Sequence, residues 1–352
     1  MPVQRVTMRD VAKAADVSVS TVSLALSGKG RLDDATRTHV LAVAEQLQYR
    51  VNHAARSLRR GRSGILVVSV SLPPSLLQAL PSLEYYVTIC QAATLHAAQR
   101  GYVLLMAPFG TDPASLSALP LEGGIVLDPG PDDPLLVQLA SQRVPIVTIG
   151  RDLAAEPGSG WWVDSDLPTL VGEMLDHLAQ CGAERVALLS TEQRRSYISD
   201  TERAYEDWAR ARGDRPRIVR AAATMTEQDA YRAATRLLRS RARPDAIYTP
   251  VDRFAVAALN AALARNFNIP GDLLIACGND TTLARAAAVP ISSLALPATK
   301  LGRLATELLL DRLRDDSTPQ TRVAPGELRL RRSTGTEARG AASPRRRLRA
   351  SG

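Results

Sequence analysis

Five small hydroxyls crowd the window RDVAKAADVSVSTVSLALSGKG, Arg9 to Gly30: Ser18, Ser20, Thr21, Ser23 and Ser27. At the amino end of a helix, hydroxyls of this size can approach phosphate oxygens, adding to the free backbone donors and the positive end of the helix dipole. Longer side chains would hold the backbone away. The same residues also serve as plain caps on a solvated helix. Further on, Leu58 stands among Arg56, Arg59, Arg60 and Arg62. That pattern suits an apolar wedge between base steps of a minor groove, with guanidinium groups on phosphates, or a leucine packed on a neighbouring domain. Catalysis has no comparable grouping. The histidines His39, His53, His96 and His177 are scattered, with no metal spacing and no nucleophile signature. SGKG at residues 27–30 lacks the strand and remaining glycines of a phosphate loop, and DSD at residues 164–166 lacks the rest of a calcium loop. No enzyme activity, cofactor or metal is expected.

Charge sharpens this picture. Residues 1–62 carry eleven Lys or Arg against five Asp or Glu, a net +6, while residues 339–352 carry five Arg and no acid. The stretch between is left at −3 within a total of +8. A basic head on a mildly acidic body predicts a polyanion partner for the head alone. With 45% hydrophobic residues over 352 positions, the chain can bury the cores of two or three domains. Its opening MPVQRVTMRD lacks the apolar segment of a secretory signal, and no apolar run is long enough to span a bilayer, so a cytoplasmic protein without a membrane partner is expected. Cys90, Cys181 and Cys277 are too dispersed for a disulfide framework or a zinc site and read as core residues.

The hydroxyls must be positioned by helices. Thr7 and Asp10 have capping-box spacing ahead of an apolar stripe of Val11, Ala12 and Ala15, which Asp16 and Val17 end. Ser18 is a second cap, starting a helix over Val19 to Leu26 with Val22 and Leu26 inward. Asp33 caps a third, where Val40, Val43, Ala44 and Leu47 recur at helical spacing. This is a helix-turn-helix pattern, followed by a basic linker, Tyr49 to Gly64, too short to be helical without a partner. Residues 7–64, with TMRDVAKAADVSVSTVSLALSG and TRTHVLAVAEQLQYRVNHAARSLRRGRS at their relative spacing, resemble the amino-terminal region of the lactose/galactose repressor (LacI/GalR) family of bacterial transcription factors. The resemblance implies a homodimer on a near-palindromic double-stranded operator, the second helix in the major groove and a hinge helix in the minor groove. It places Val19, Ser20 and Leu24 at base-facing positions. Thr7, Ser18, Thr21, Ser23, Ser27, Arg31 and Thr36 approach phosphates, while Asn52, Ala55, Leu58 and Arg59 belong to the hinge. Leu24 departs from the polar or basic residue of several relatives and can meet only apolar features such as a thymine methyl.

From residue 64 apolar runs of strand length alternate with helical patterns. Strands are expected at 64–71, 101–107, 123–130 and 144–150, with helices near 83–100 and 133–143. A second series follows WWVDSD, with strands at 185–190, 217–222, 245–250 and 273–278 and helices at about 167–181, 199–212, 227–240 and 252–266. The fold class is an α/β body of two Rossmann-like parallel-sheet subdomains with an all-α N-terminal helix-turn-helix domain. The two halves resemble the periplasmic sugar-binding proteins, which implies chain crossings near residues 163, 292 and 324, and Leu301 to Arg314 returning as a helix to the first half. It also implies a small-molecule effector, a sugar or nucleoside, in the cleft at the strand ends. Asp280 matches a family position that binds effector hydroxyls or amines. Asp252 follows another strand end and equally fits the cap of the next helix, while Ser71 and Arg151 sit at strand ends of the first half. Thr201 stands where relatives carry arginine, Val251 where they carry asparagine, and Asn279 in place of an aromatic. These changes point to an atypical ligand or to none. Trp161 and Trp162 adjoin the first crossing as core, subunit contact or a stacking face.

The expected organisation is a DNA-binding domain at 1–50, a hinge at 51–63, an effector and dimerisation domain at 64–337 and a basic tail at 338–352. A sequence-specific repressor modulated by an effector fits best. A regulator without a sugar-type effector, a solute-binding protein of the same body fold and a non-specific architectural DNA binder are the rivals.

Overall fold

A computed structural model describes residues 6–27, 31–49, 63–71, 83–107, 113–156, 158–224, 226–315 and 317–335. The chain forms two compact units, Met1–Gly64 and Ile65–Gly352. The expected hinge residues Asn52, Ala55, Leu58 and Arg59, and the expected tail, lie outside the described residues.

The first unit holds α1 (Met8–Ala14), α2 (Val19–Ser27) and α3 (Asp34–Gln46). Local side chains define each start. Thr7 N–H donates to Asp10 Oδ2 at 2.7 Å while Thr7 Oγ1 accepts from Asp10 N–H at 3.4 Å, a reciprocal box that satisfies two otherwise orphan donors. Ser18 Oγ accepts from Thr21 N–H at 3.0 Å, and Asp33 Oδ1 from Thr36 N–H at 2.8 Å. Asp16 ends α1 in the left-handed region at φ 51°, a conformation that a short polar side chain tolerates. The core consists of Val11, Ala12, Ala15, Val22, Ala25, Val40 and Ala44. These are small, so the helices approach closely. Ala25 takes the deep position that spacing alone assigns to Leu26, which is only partly buried.

The second unit holds two six-stranded sheets. The first joins β1 (Ile65–Val70), β2 (Val103–Met106), β3 (Leu121–Leu127), β4 (Ile146–Ile149), β5 (Trp162–Ser165) and β11 (Thr321–Ala324) in the order β11-β5-β4-β3-β1-β2, all parallel. The second joins β6 (Val186–Thr191), β7 (Ile218–Ala221), β8 (Ala246–Thr249), β9 (Leu274–Cys277), β10 (Ser292–Ala295) and β12 (Glu327–Arg329) in the order β12-β10-β9-β8-β6-β7, with only the β10–β12 pair antiparallel. Successive residues of β1 serve opposite faces: Leu66, Val68 and Val70 pack in one core and Val67 in another. Covering both faces explains why the strands are continuous apolar runs rather than alternating ones. Helices α4 (Glu84–Gln99) and α11 (Ala298–Arg312) cover one side of the first sheet, and α5 (Pro134–Ser141) packs on the other; the one-turn α10 (Thr282–Arg285) precedes β10. Gly302 lets α4 and α11 touch, since a Cβ there would lie 2.3 Å from the Ile89 carbonyl oxygen. The second sheet carries α6 (Leu167–Gln180) and α7 (Ser196–Ala211), with α8 (Glu227–Arg239) and α9 (Asp252–Leu263) packed in the core that contains Ala187, Ile247 and Ile275.

The chain passes between the halves after β5, after β10 and between β11 and β12, close to the three crossings expected. Four strands went unread in the sequence: β5, β10 and β11 have four residues each and β12 has three. Trp161 is buried in the first-subdomain core with the Arg312 guanidinium 5.5 Å from its ring centroid, and all three cysteines are buried outside any disulfide. No helix of the described residues is long and apolar enough to cross a membrane, and no group of three or more His, Cys, Asp or Glu among them could hold a metal.

Candidate functional site

Two surfaces concentrate polar chemistry. The first is α2. Val22 and Ala25 are buried against α1 and α3, which leaves Ser20 and Leu24, one turn apart, exposed on the opposite face. Val19 is half-buried and packs partly on the core. At the amino end, Ser18 Oγ lies 2.6 Å from Ser20 Oγ and 2.8 Å from Thr21 Oγ1, so three hydroxyls form one hydrogen-bonded cluster over the positive end of the helix dipole. Ser23 is half-buried on the same helix, and Ser27 is its last residue. Thr7 and Arg31 are exposed, and Thr36 lies half-buried in the first turn of α3. An uncharged, donor-rich helix end with a small-residue face can come close to a phosphate backbone and to base edges.

The second surface is a cleft at the carboxyl ends of the strands, between the two sheets. The first half supplies Tyr85 and Tyr86 from the start of α4, Asp128 from the end of β3 and Asp164 from β5. Tyr86 donates to Asp128 Oδ2 at 2.7 Å, and Tyr85 stands edge-on to Tyr86 with centroids 5.4 Å apart. Burial raises the Asp128 carboxyl above the ordinary range. Burial, reinforced by Asp128 and Asp200, pushes Asp164 up to about 7, with the Ser165 N–H offsetting part of the effect. Gly150, at the end of β4 with φ 81°, sits where a Cβ would be 2.8 Å from Asp128 Oδ1. A side chain there would displace the carboxylate.

The second half contributes Tyr197 and Thr201 from α7, Val251 to Arg253 at the start of α9, and Asn279 after β9. Asp252 accepts from Thr281 Oγ1 at 2.6 Å and from Arg253 N–H at 2.8 Å, and burial raises its carboxyl. Among the described residues, three links tie the halves across the cleft. Arg195 donates to the Asp128 carbonyl, and Arg151 pairs with Asp200 while its N–H reaches Ser196 Oγ at 3.0 Å. Glu84 accepts from the N–H and hydroxyl of Thr282, each at 2.8 Å, and pairs with Arg285 at 2.8 Å. These bonds, led by the Thr282 N–H, hold the Glu84 carboxyl below its ordinary range.

Of the residues expected around a ligand, Asp252 and Asn279 line the cleft, as does Thr201. Ser71 and Arg151 are not among the lining residues: Ser71 Oγ accepts from Gly130 N–H at 3.3 Å, and Arg151 is a cross-cleft link. Asp280 is also outside the lining, with Arg331 at 2.9 Å and Arg285 at 3.5 Å from its carboxylate. Sequence reasoning passed over Tyr85, Tyr86, Asp128, Asp164, Tyr197 and Arg253. One signal was available, since an aspartate directly after the buried run of GGIVLD occupies a strand end just as Asp252 does.

Comparison with known proteins matches the head and the body of the chain. Residues 7–52 match the model of the bacterial regulatory proteins, lacI family, and residues 175–334 that of the periplasmic binding protein-like domain. The HTH-type transcriptional regulator PtxS of Pseudomonas aeruginosa is 30% identical over 352 residues, covering 94% of this chain and 96% of the relative. The HTH-type transcriptional regulator CelR of Thermobifida fusca is 26% identical over 91% of this chain and 95% of its own. Among solved structures, a complex of the transcriptional regulator CelR with cellobiose superposes with a TM-score of 0.70 at 25% identity, covering 94% of this chain and 100% of that one. A lac repressor dimer bound to operator and the anti-inducer ONPF superposes at 0.77 with 20% identity, covering 94% and 99%, and supports the fold. With head and body matched in the same order along nearly its whole length, the chain belongs to the lacI family of bacterial regulatory proteins and is a helix-turn-helix transcriptional regulator with a periplasmic-binding-protein-like effector domain.

Proposed function

We propose that this regulator is a homodimeric repressor that reads a near-palindromic operator through α2 and responds to a small molecule held in the cleft. The exposed Ser20 and Leu24 face beneath the Ser18, Ser20 and Thr21 hydroxyl cluster carries the reading. Val19, Ser20 and Leu24 meet base edges, with Leu24 favouring a thymine methyl. Thr7, Ser18, Thr21, Ser23, Ser27, Arg31 and Thr36 meet phosphates, and Asn52, Ala55, Leu58 and Arg59 form the minor-groove hinge. The edge strand β2 exposes Val103, Leu105 and Met106, and α4 exposes Val87 and Leu95, apolar surface suited to a second copy. The effector sits between Asp128, Asp164, Asp252 and Asn279, and the three cross-cleft links let its binding bias the angle of the halves. By linkage, an effector that weakens DNA binding binds the DNA-bound form less tightly by the same factor.

The test is selection of duplexes from a random pool by the full chain at fixed salt, with Ser20→Glu as control. Enrichment of a near-palindrome by the wild type and not by the variant supports the assignment. Salt-sensitive binding with no enriched sequence would instead establish a non-specific binder.

A further inference from the structure

We infer that the cleft ligand is a polyhydroxylated monocarboxylate, its carboxylate paired with Arg253 and its hydroxyls donating to the carboxylates of the opposite wall. The inference rests on the reading of the cleft as the effector site. Arg253 lines the cavity at only 5% exposure, its Nε is buried with no hydrogen-bond partner, and no described carboxylate oxygen lies within 4.0 Å of its guanidinium nitrogens. A guanidinium so enclosed is ordinarily paired, because desolvating an unpaired charge is costly. Its sequence neighbour does not serve it. The Asp252 oxygens are engaged by the Thr281 hydroxyl and the Arg253 backbone N–H. A planar carboxylate matches the guanidinium fork, whereas a phosphate dianion brings twice the negative charge into a cavity that also holds Asp128, Asp164 and Asp252.

The opposite wall asks for donors. Asp164 uses one oxygen on Ser165 N–H at 2.7 Å, Asp128 accepts from Tyr86, and the rings of Tyr85, Tyr86 and Tyr197 offer flat faces for sugar C–H groups. Thr201 and Val251 make the remaining wall small and weakly polar. The resulting site is bipolar, with a cation on one half and hydroxyl acceptors on the other.

Calorimetry with the full-length chain tests this using matched pairs: gluconate against sorbitol, galactonate against galactitol, and ribonate against ribitol. Glucose 6-phosphate, glucosamine and glucose represent the other charge classes. The expected result is an aldonate that binds at least tenfold tighter than its alditol, with the margin falling below threefold in Arg253→Gln and largely kept in Arg253→Lys. The ligand-free melting temperature of Arg253→Gln should not fall, because a residue that only supports the fold would lower it when replaced. A neutral, phosphorylated or amino sugar that binds tightest, or a margin that survives Arg253→Gln, overturns the carboxylate while leaving an effector cleft in place. Binding by none of the compounds overturns both.

Discussion

The α2 face and the cleft are built on opposite principles. At α2 and its cap, the groups proposed to meet DNA fall within ten consecutive residues, Ser18 to Ser27, are uncharged, and begin with a cluster held by hydrogen bonds between neighbours two or three positions apart. In the cleft, the groups run from Tyr85 to Asn279, most are charged or phenolic, and two α/β halves must assemble before any of them meet. An exposed helix end gains little from its own side-chain charge, since solvent and salt screen it, and works through the dipole and close approach. An enclosed cleft magnifies every charge, which is why burial displaces Asp128, Asp164 and Asp252 from ordinary carboxylate behaviour. The two surfaces should therefore respond differently to the same kind of change.

The largest effect is expected on α2. Ser20→Glu places a carboxylate on the base-facing side of the hydroxyl cluster, beside the phosphate-facing Ser18, and should weaken operator binding by about 100-fold, ~2.7 kcal/mol, while leaving the thermal shift caused by a cleft ligand unchanged. A loss of ligand response in the same variant would break the separation of the two surfaces. Next comes Gly150→Val, which forces a β-branched residue into φ 81° and against Asp128 Oδ1, 2.8 Å from the Cβ position. We expect a destabilisation of about 2–3 kcal/mol, read as a fall in melting temperature of roughly 5–10 °C, together with loss of cleft binding.

A smaller, pH-dependent effect isolates the cleft electrostatics. The Asp164 carboxyl titrates at about 7 in the folded chain, above its unfolded value of 3.8, so the folded state binds more protons between these limits. The penalty for burying the charge is absent below the unfolded value, grows as pH rises through the window, and is complete above about 7. Asp164→Asn should therefore raise the melting temperature more at pH 8 than at pH 5. An equal gain at both pH values would show that the carboxylate is solvated in the open cleft.

How legible each surface was follows from the same contrast. The capping box of Thr7 and Asp10, the Ser18 cap and the apolar repeat of α3 are local, and the sequence displays them almost residue by residue. The strands β1, β3, β6 and β8 are legible because burial on both faces makes most of their residues apolar. The short strands β5, β10, β11 and β12 are held by pairing with distant chain, which no local pattern encodes. In the cleft, Asp252 and Asn279 could be found as strand-end positions. Asp280 has the same credentials in the sequence, yet the guanidinium groups of Arg331 and Arg285 claim it. The unpaired state of Arg253 is a property of its surroundings alone.

The smallest effect is expected at the Glu84 link, the more exposed of the two cross-cleft ion pairs among the described residues. This link crosses the cleft with two hydrogen bonds from Thr282 and one ion pair to Arg285. Its side chains are 42% and 40% exposed, however, so solvent screens the ion pair and the charge itself contributes only ~0.5 kcal/mol. Glu84→Gln keeps an acceptor for the Thr282 N–H and removes the charge, and it should change cleft affinity by less than about threefold. Salt separates the two parts of the link. Raising ionic strength to 1 M should erase the difference between wild type and Glu84→Gln, because only the ion pair is screened. A difference that persists in high salt would place the closure in the geometry of the Thr282 hydrogen bonds, and the rim of the cleft would then act, as α2 does, through hydrogen bonds rather than charge.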